Sequence, residues 1–269
     1  MVDGQYEVID AHCHIYPEKI AHKAAQAIGD FYGEQPANGG TVKEMLQSGM
    51  QAGIDRFIVQ SVATTPGQVR KINRFIAEEV SAHGEVLIGL GTLHPDSDNI
   101  EEDVQDLLSL GLKGVKLHPD IQGFKIDDYR CLKIYEICES EQLPILMHTG
   151  DSRYDFSNPN RLLPILNIYT GLTVIGAHLG GFSVWEEACK QLHALPNLVV
   201  DCSSSLGYIS PERAREIILR YGTDRVLFGT DYPLHDMTKE IKMLLSLGLS
   251  EEDYRKIFSE NAKRIYGLK

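Results

Sequence analysis

The sequence predicts an α/β chain folded as a single (β/α)8 barrel of the TIM type, with short helices at its carboxyl end. Three observations carry that expectation. Strand-like and helix-like segments alternate from end to end, the strand-like ones number eight, and polar, chemically active side chains close several of them. Parallel strands need a crossover between them, usually a helix. Eight such units close into a barrel whose reactive groups gather at the carboxyl ends of the strands. An open doubly wound sheet is the rival, but it normally carries a glycine-rich phosphate turn after its first strand. Here that position reads Ala11-His12-Cys13-His14.

The first strand, residues 7–12, runs from Val8-Ile9 into this histidine pair. Successive strand side chains point to opposite faces, so His12 and His14 share a face and Cys13 turns away. Further strands are expected at 56–61, 86–93, 114–118, 144–148, 173–178, 198–202 and 226–230. Between them, Thr41 with Glu44 and Asp98 with Glu101 have capping-box spacing, and Ser210-Pro211-Glu212 opens a helix. Gly53, Gly84, Gly111, Gly171, Gly222 and Gly248 mark helix ends. Thr92-Leu-His94-Pro-Asp96 echoes Lys116-Leu-His118-Pro-Asp120 after 24 residues, as equivalent ends of neighbouring βα units would. Segments 29–40 and 149–159 break the regularity and are candidate lids. Residues 250–267 read as two short helices packed on the outside. No boundary is visible, so one domain spanning 1–269 is expected; barrels routinely use this length as one unit.

A net charge of -12 argues against nucleic-acid or anionic-membrane partners, which need a basic surface. Five cysteines, an odd number without a CxxC pair, suggest reduced thiols in a cytosolic protein. No signal-peptide pattern and no run approaching about 20 apolar residues is present.

His148, His178 and Asp231 each close a short apolar run and are followed by Gly or Pro within three residues. With His12 and His14 they bring four imidazoles and a carboxylate to four strand ends. His178 is a possible strand cap, His94 is favoured as structural, and His22, His83 and His193 fall on solvent-facing helical positions. Lys116 and His118 share a strand face that reaches the barrel mouth. Arg153 and Tyr154 follow the fifth strand, where a guanidinium can hold a substrate carboxylate through two parallel hydrogen bonds. Asp120 and His235 are similarly placed. Asp10 is expected to orient backbone or a ligand histidine, and Trp185 to pack a helix on the barrel.

The ordered set Ile-Asp-Ala-His-Cys-His, Gly-Val-Lys-Leu-His-Pro, Met-His-Thr-Gly, Ala-His-Leu-Gly-Gly and Phe-Gly-Thr-Asp-Tyr-Pro resembles the amidohydrolase superfamily. The likeness is greatest to its amidohydrolase 2 branch, which includes aminocarboxymuconate semialdehyde decarboxylase and related lactonases and decarboxylases. It covers the chain from residue 8 to about residue 233. The resemblance implies His12, His14, His148 and Asp231 as ligands of one divalent metal, zinc first and manganese second. It further implies that His178 and Asp231 act on the bound water. Lys116 stands where binuclear relatives bridge two metals, so it is a candidate bridge or a substrate contact. Arg153, Tyr154 and His118 are candidate substrate contacts. The expected activity is hydrolysis of an amide, lactone or ester by metal-activated water. Non-oxidative decarboxylation of a small carboxylic acid is the alternative, and a non-catalytic binding or sensing barrel a more remote one. The substrate is a small molecule, anionic if Lys116 faces it, and a homo-oligomer is compatible with all of this.

Overall fold

In the computed structural model residues 5–269 are described; residues 1–4, the start of the expected 1–269 unit, lie outside the described residues. The parallel strands are β1 (Ile9–His14), β2 (Arg56–Gln60), β3 (Leu87–Gly89), β4 (Gly91–Thr92), β5 (Val115–Leu117), β6 (Ile145–Met147), β7 (Val174–Gly176), β8 (Leu198–Asp201) and β9 (Val226–Leu227). The first helices are α1 (Ala21–Tyr32), α2 (Val42–Ala52), α3 (Val69–His83) and α4 (Ile100–Ser109). Next come α5 (Pro119–Gln122), α6 (Leu132–Ser140), α7 (Pro159–Ile168) and α8 (Trp185–Leu192). The last are α9 (Pro211–Tyr221), α10 (Met237–Leu245), α11 (Glu251–Arg255) and α12 (Asn261–Tyr266).

β3 and β4 are halves of one barrel position, parted at Leu90. β3 pairs with β2 and β4 with β5, while the Leu90 amide reaches Val59 O and the Gly91 amide reaches Gly114 O, both at 2.9 Å. The ring closes between the ends of the chain of strands: Ala11 N donates to Phe228 O at 2.9 Å and His14 N to Tyr232 O at 2.7 Å. The eight expected strand positions are therefore met. β1 starts two residues later than expected and continues through His14.

A bulge in β1 decides what faces the barrel axis. Asp10 pairs with Phe57 and Cys13 with Val59, so one extra residue of β1 is accommodated between them. Ile9 and Ala11 join the inner cluster with Ile58, Leu146 and Ile175, whereas Val8, Cys13, Phe57 and Val59 pack outward under the helices. Unbroken alternation would have put His12 and His14 on the outward face, with Val8 and Asp10. The bulge reverses the parity and turns both imidazoles inward, a known use of bulges near reactive sites. Asp10 occupies the irregularity. Its carboxylate accepts from His12 N (3.1 Å), Thr230 N (3.0 Å) and Thr230 Oγ1 (2.5 Å), tying β1 to the segment after β9 as the sequence reading of Asp10 anticipated.

Most punctuation signals hold. Thr41 and Glu44 form a full capping box, and Ser210 caps α9 ahead of Pro211. Two signals do not. The cap of α4 is Asn99, which accepts from Glu102 N at 3.1 Å, one residue beyond the expected Asp98–Glu101 box, because Asn99 directly precedes the first helical residue. Gly171 does not end α7, which stops at Ile168; its amide instead donates to Glu139 Oε1 at 2.7 Å. The carboxyl tail also differs from its expected outside position. Ala262 and Tyr266 of α12 belong to the inner cluster with Ile9, Ala11 and Leu227. The tail thus plugs the amino-terminal end of the barrel, since apolar interior side chains there would otherwise meet water. All five cysteines are free and buried. No helix among the described residues is long and apolar enough to cross a membrane.

Glu240 on α10 is buried, and its Oε2 has no hydrogen-bond partner among the described residues. Burial foremost raises its pKa to about 8. The folded protein thus keeps this proton to about pH 8, while the unfolded chain loses it near the ordinary value of 4.5. Between those limits the unfolded state binds fewer protons, so stability falls as pH rises. Glu240→Gln should flatten this slope, melting several degrees above the parent at pH 8 but not at pH 5. Thermal unfolding at both values checks it; parallel curves for the two proteins would contradict it.

Candidate metal centre and cavity

The bulge sets His12 and His14 side by side with their Nε2 atoms 3.2 Å apart and rings inclined at 45°. Asp231, beyond β9, brings Oδ1 to 3.4 Å from His12 Nε2 and 3.6 Å from His14 Nε2. Both Asp231 and His178 leave their strands in the left-handed region, at φ 58° and 61°. Asp and His tolerate that conformation better than most side chains, and it aims them at the barrel mouth.

Three groups of donors in the described residues have spacing compatible with a metal ion: His12–His14–Asp231, His12–His178–Asp201 and His118–Asp120–His148. Ring orientation separates them. An imidazole lone pair lies in the ring plane, so two parallel stacked rings cannot aim at one ion. His118 and His148 are stacked with centroids 4.0 Å apart and planes within 6°; His12 and His178 are stacked within 24°. Only the inclined pair His12–His14 lets lone pairs converge. Donors about 2.0–2.1 Å from one tetrahedral zinc lie about 3.3–3.4 Å from each other, close to the 3.2, 3.4 and 3.6 Å edges here. Two imidazoles and a carboxylate suit zinc and manganese alike. This triad fits a divalent ion.

The groups around it fix protonation. His12 Nδ1 donates to Asp201 Oδ2 at 2.9 Å, leaving Nε2 with its lone pair. Burial opposes ionisation of Asp201, but His12, His178 and the Ser203 hydroxyl outweigh it and hold the carboxyl at about 2. Burial likewise pushes Asp231 up, yet the imidazoles of His12, His178 and His14 hold it well below the usual carboxylate range. His14 is driven well down by burial and by the charge of Lys116, so it is neutral. Lys116 is itself buried, which lowers its amine to about 8, and its Nζ lies 3.0 Å from His12 Nε2.

His178 Nδ1 faces Ser203 O at 3.2 Å; a carbonyl only accepts, so Nδ1 carries the proton. Its Nε2 then accepts from His148 Nδ1 at 3.0 Å. That leaves His148 Nε2 with a lone pair, buried, without a hydrogen-bond partner among the described residues and 3.5 Å from Asp120 Oδ2. His148 is grouped by metal-compatible spacing with His118 and Asp120, while its unpartnered Nε2 keeps a lone pair free for an ion.

A cavity of about 460 Å³ opens above this floor, lined by His12, His14, Lys116, His118, His148, His178 and Asp231 together with apolar walls. His118 Nε2 meets Tyr32 Oη at 2.9 Å. Arg153 does not line the cavity. Its Nε and Nη2 bind Asp151 (3.0 and 2.7 Å), Nη1 donates to Phe31 O at 2.6 Å, and its guanidinium lies 5.0–5.5 Å from the rings of Phe31, Tyr32 and Tyr154. The expected carboxylate clamp is instead a strut joining the two candidate lids, 29–40 and 149–159, because a loop carboxylate two residues away takes the fork first. Tyr154 stacks on Phe31 (5.5 Å, 11°) and is likewise outside the cavity lining. His94 is buried but not on the cavity. Trp185 stacks on Tyr208 and donates to Ser205 Oγ.

Several participants escaped the sequence reading. Asp201 closes the run Leu198-Val-Val-Asp201 but lacks the Gly or Pro within three residues that marked His148 and His178. Ser203, Ser204 and Tyr32 have no such signal, since their relevance depends on loop geometry.

The amidohydrolase family model matches residues 9–268. The 2-amino-3-carboxymuconate-6-semialdehyde decarboxylase of Dictyostelium discoideum is 26% identical over 198 residues, which is 60% of this chain and 55% of that protein. The chain thus aligns with about half the length of this curated relative. Among solved structures, an uncharacterised TIM-barrel protein from Bordetella bronchiseptica superposes with a TM-score of 0.80 at 20% identity, over 97% of this chain and 98% of the other. A dihydroxybenzoic acid decarboxylase from Polaromonas, with bound manganese and the inhibitor 2-nitroresorcinol, gives 0.75 at 16% identity over 97% of each. These likenesses establish the barrel.

Asp201→Asn should weaken divalent-metal affinity by about 10- to 100-fold, because an amide oxygen holds the His12 Nδ1 proton less firmly than a carboxylate. Competition with a chromophoric chelator measures this. Unchanged affinity in a folded variant would remove Asp201 from the support of the centre.

Proposed function

This chain belongs to the amidohydrolase family, and we propose that it is a metal-dependent enzyme removing carbon dioxide, without oxidation, from a small unsaturated or aromatic carboxylic acid. The observation that carries the reading is the buried amine of Lys116, set in the cavity floor against the His12–His14–Asp231 triad. A cationic floor suits a substrate that arrives as a carboxylate. The name of the Dictyostelium relative supports the same reaction, and the manganese of the Polaromonas enzyme supports a divalent ion. Decarboxylation thereby moves ahead of hydrolysis, the first expectation from sequence, and manganese stands level with zinc.

In this reading His12, His14 and Asp231 hold the ion, and the unspent Nε2 lone pair of His148 is the adjacent donor. The bound ion would supply positive charge for substrate oxygens as electrons move toward them. Loss of carbon dioxide leaves an electron pair on carbon, so the substrate needs a conjugated hydroxyl or carbonyl to share it. Asp231, held ionised, takes the substrate's hydroxyl proton and returns it to the carbon as the carbon–carboxylate bond breaks. The substrate oxygen then regains a proton from solvent, so the net reaction consumes one proton and yields R–H and carbon dioxide. Ser204 Oγ donates to Asp231 Oδ2 at 2.7 Å and lies 2.9 Å from Nε2 of the half-buried His235, which connects the carboxylate toward the surface. Lys116 anchors the acid, and His178, neutral because burial lowers it to about 4, positions itself between His148 and Ser203.

The test is carbon dioxide release from a panel of hydroxybenzoic and unsaturated dicarboxylic acids by manganese- or zinc-loaded protein, beside a lactone and ester panel. At least one acid should turn over, and Asp231→Asn should lower kcat by about 10²–10⁴-fold. Turnover of lactones or esters alone would return hydrolysis to first place, and full activity in the variant would take Asp231 out of the chemistry.

A further inference from the structure

The cavity is larger and more apolar than a single-ring acid on this floor requires. Its volume of about 460 Å³ falls in the range of about 300–1,000 Å³ that houses drug-sized ligands. Ser61, Thr64, Gln68 and Lys71 add polar positions, the last two at the start of α3, while the imidazoles, Lys116 and Asp231 gather at the bottom. Above them, α1 presents Ala24, Ala27, Ile28 and Phe31, with Ile20 just ahead, and α3 presents Ile72 and Phe75. Spacings of three and four residues put each set on one helix face. Neither stripe is the helix's main core face: α1 buries Ala21, Ala25 and Gly29, and α3 buries Val69, Asn73 and Ile76. α1 therefore carries a second apolar stripe that stays partly wet, with Ile20 51% exposed, although a helix that packs by one side needs apolar residues on that side only. α3 adds the half-buried Ile72 and Phe75, which also touch the core, beside Lys71.

We propose that the trough between α1 and α3 is a subsite for an apolar arm, alkyl or aryl, borne by the carboxylic acid substrate on the side away from its reacting carboxylate. The inference rests on the proposed decarboxylase reading for the identity of the head group. The trough and the metal-binding floor are one continuous cavity, so an acid anchored at Lys116 has its far end between the two stripes. An amphiphilic acid matches both parts: charge meets charge below, and apolar surface leaves water above. The strut of Arg153 on Phe31 and Tyr32 braces the carboxyl end of α1, and with it that end of the trough wall.

Calorimetric titration of the manganese-loaded protein with benzoate and its para-ethyl, para-butyl and para-hexyl derivatives tests this without requiring turnover. Kd should fall about threefold to fourfold per added methylene while the chain lies in the trough. Ala27→Trp fills the trough and Ile20→Glu puts a charge at its mouth; both positions are exposed, and each variant should flatten the dependence on chain length. A flat series in the parent, or an undiminished gain in both variants, would overturn the subsite. So would a parent dimer that Ile20→Glu dissociates while the chain-length gain is missing, since the stripes would then be a contact between copies. The two ideas fail separately. A chain-length gain without carbon dioxide release from any acid would retire decarboxylation and keep the arm site, and release from short acids with a flat series would do the reverse.

Discussion

Three electron-pair donors converge in the buried floor of this barrel, and the surrounding structure exists in the form that convergence demands. Two imidazole nitrogens and a carboxylate oxygen stand 3.2–3.6 Å apart, with His12 and Asp231 all but closed to solvent. Taking an ionised carboxylate out of water is costly unless opposite charge or hydrogen bonds replace the lost solvation. Here Ser204 supplies one hydrogen bond and Lys116 a nearby charge, while Asp201 fixes the tautomer that leaves His12 Nε2 facing its neighbours. A divalent cation completes the arrangement in a way no side chain among the described residues does.

That demand explains local features that are otherwise costs. The bulge in β1 disrupts a ladder, and Asp10 repairs it by accepting the amides of His12 and Thr230. Left-handed backbone at His178 and Asp231 is unfavourable for non-glycine residues, yet it is what brings both side chains over the mouth. Above them, Gly150 lets the loop after β6 meet the loop after β7 backbone to backbone: a Cβ there would lie 2.6 Å from Gly181 Cα. Arg153 then fastens that loop to the end of α1. The cavity walls are thus braced by the loops that follow the strands of His148 and His178.

Strand ends were legible in the sequence because a polar residue closing an apolar run has few structural reasons to be there. His148, His178 and Asp231 fit that pattern with a Gly or Pro close behind, whereas Asp201, followed by Cys202-Ser203-Ser204, carries only its first half. The shared face of His12 and His14 was legible from alternation, but its direction was not. Counting from Val8 puts both imidazoles outside, and only the extra residue after Asp10 turns them in. Arg153 shows the opposite limit. Its position after the fifth strand suggested a substrate clamp, whereas its actual partners, Asp151 and the carbonyl of Phe31, depend on loop conformations that no periodicity encodes. The tail was misplaced for a related reason: Ala262 and Tyr266 are apolar in a helix either way, and only barrel closure reveals an open end for them to fill. His148 had the right neighbourhood, but its ring orientation depends on the Ser203–His178 chain, which spacing does not show.

One ion held by His12, His14 and Asp231 is the arrangement these donors fit. Diffraction from manganese-loaded crystals, recorded on both sides of the manganese absorption edge, addresses it directly. The expected result is a single anomalous peak within bonding distance of His12 Nε2, His14 Nε2 and an Asp231 carboxylate oxygen. A peak seated among His118, Asp120 and His148, or two peaks bridged through a carboxylated Lys116, would contradict it.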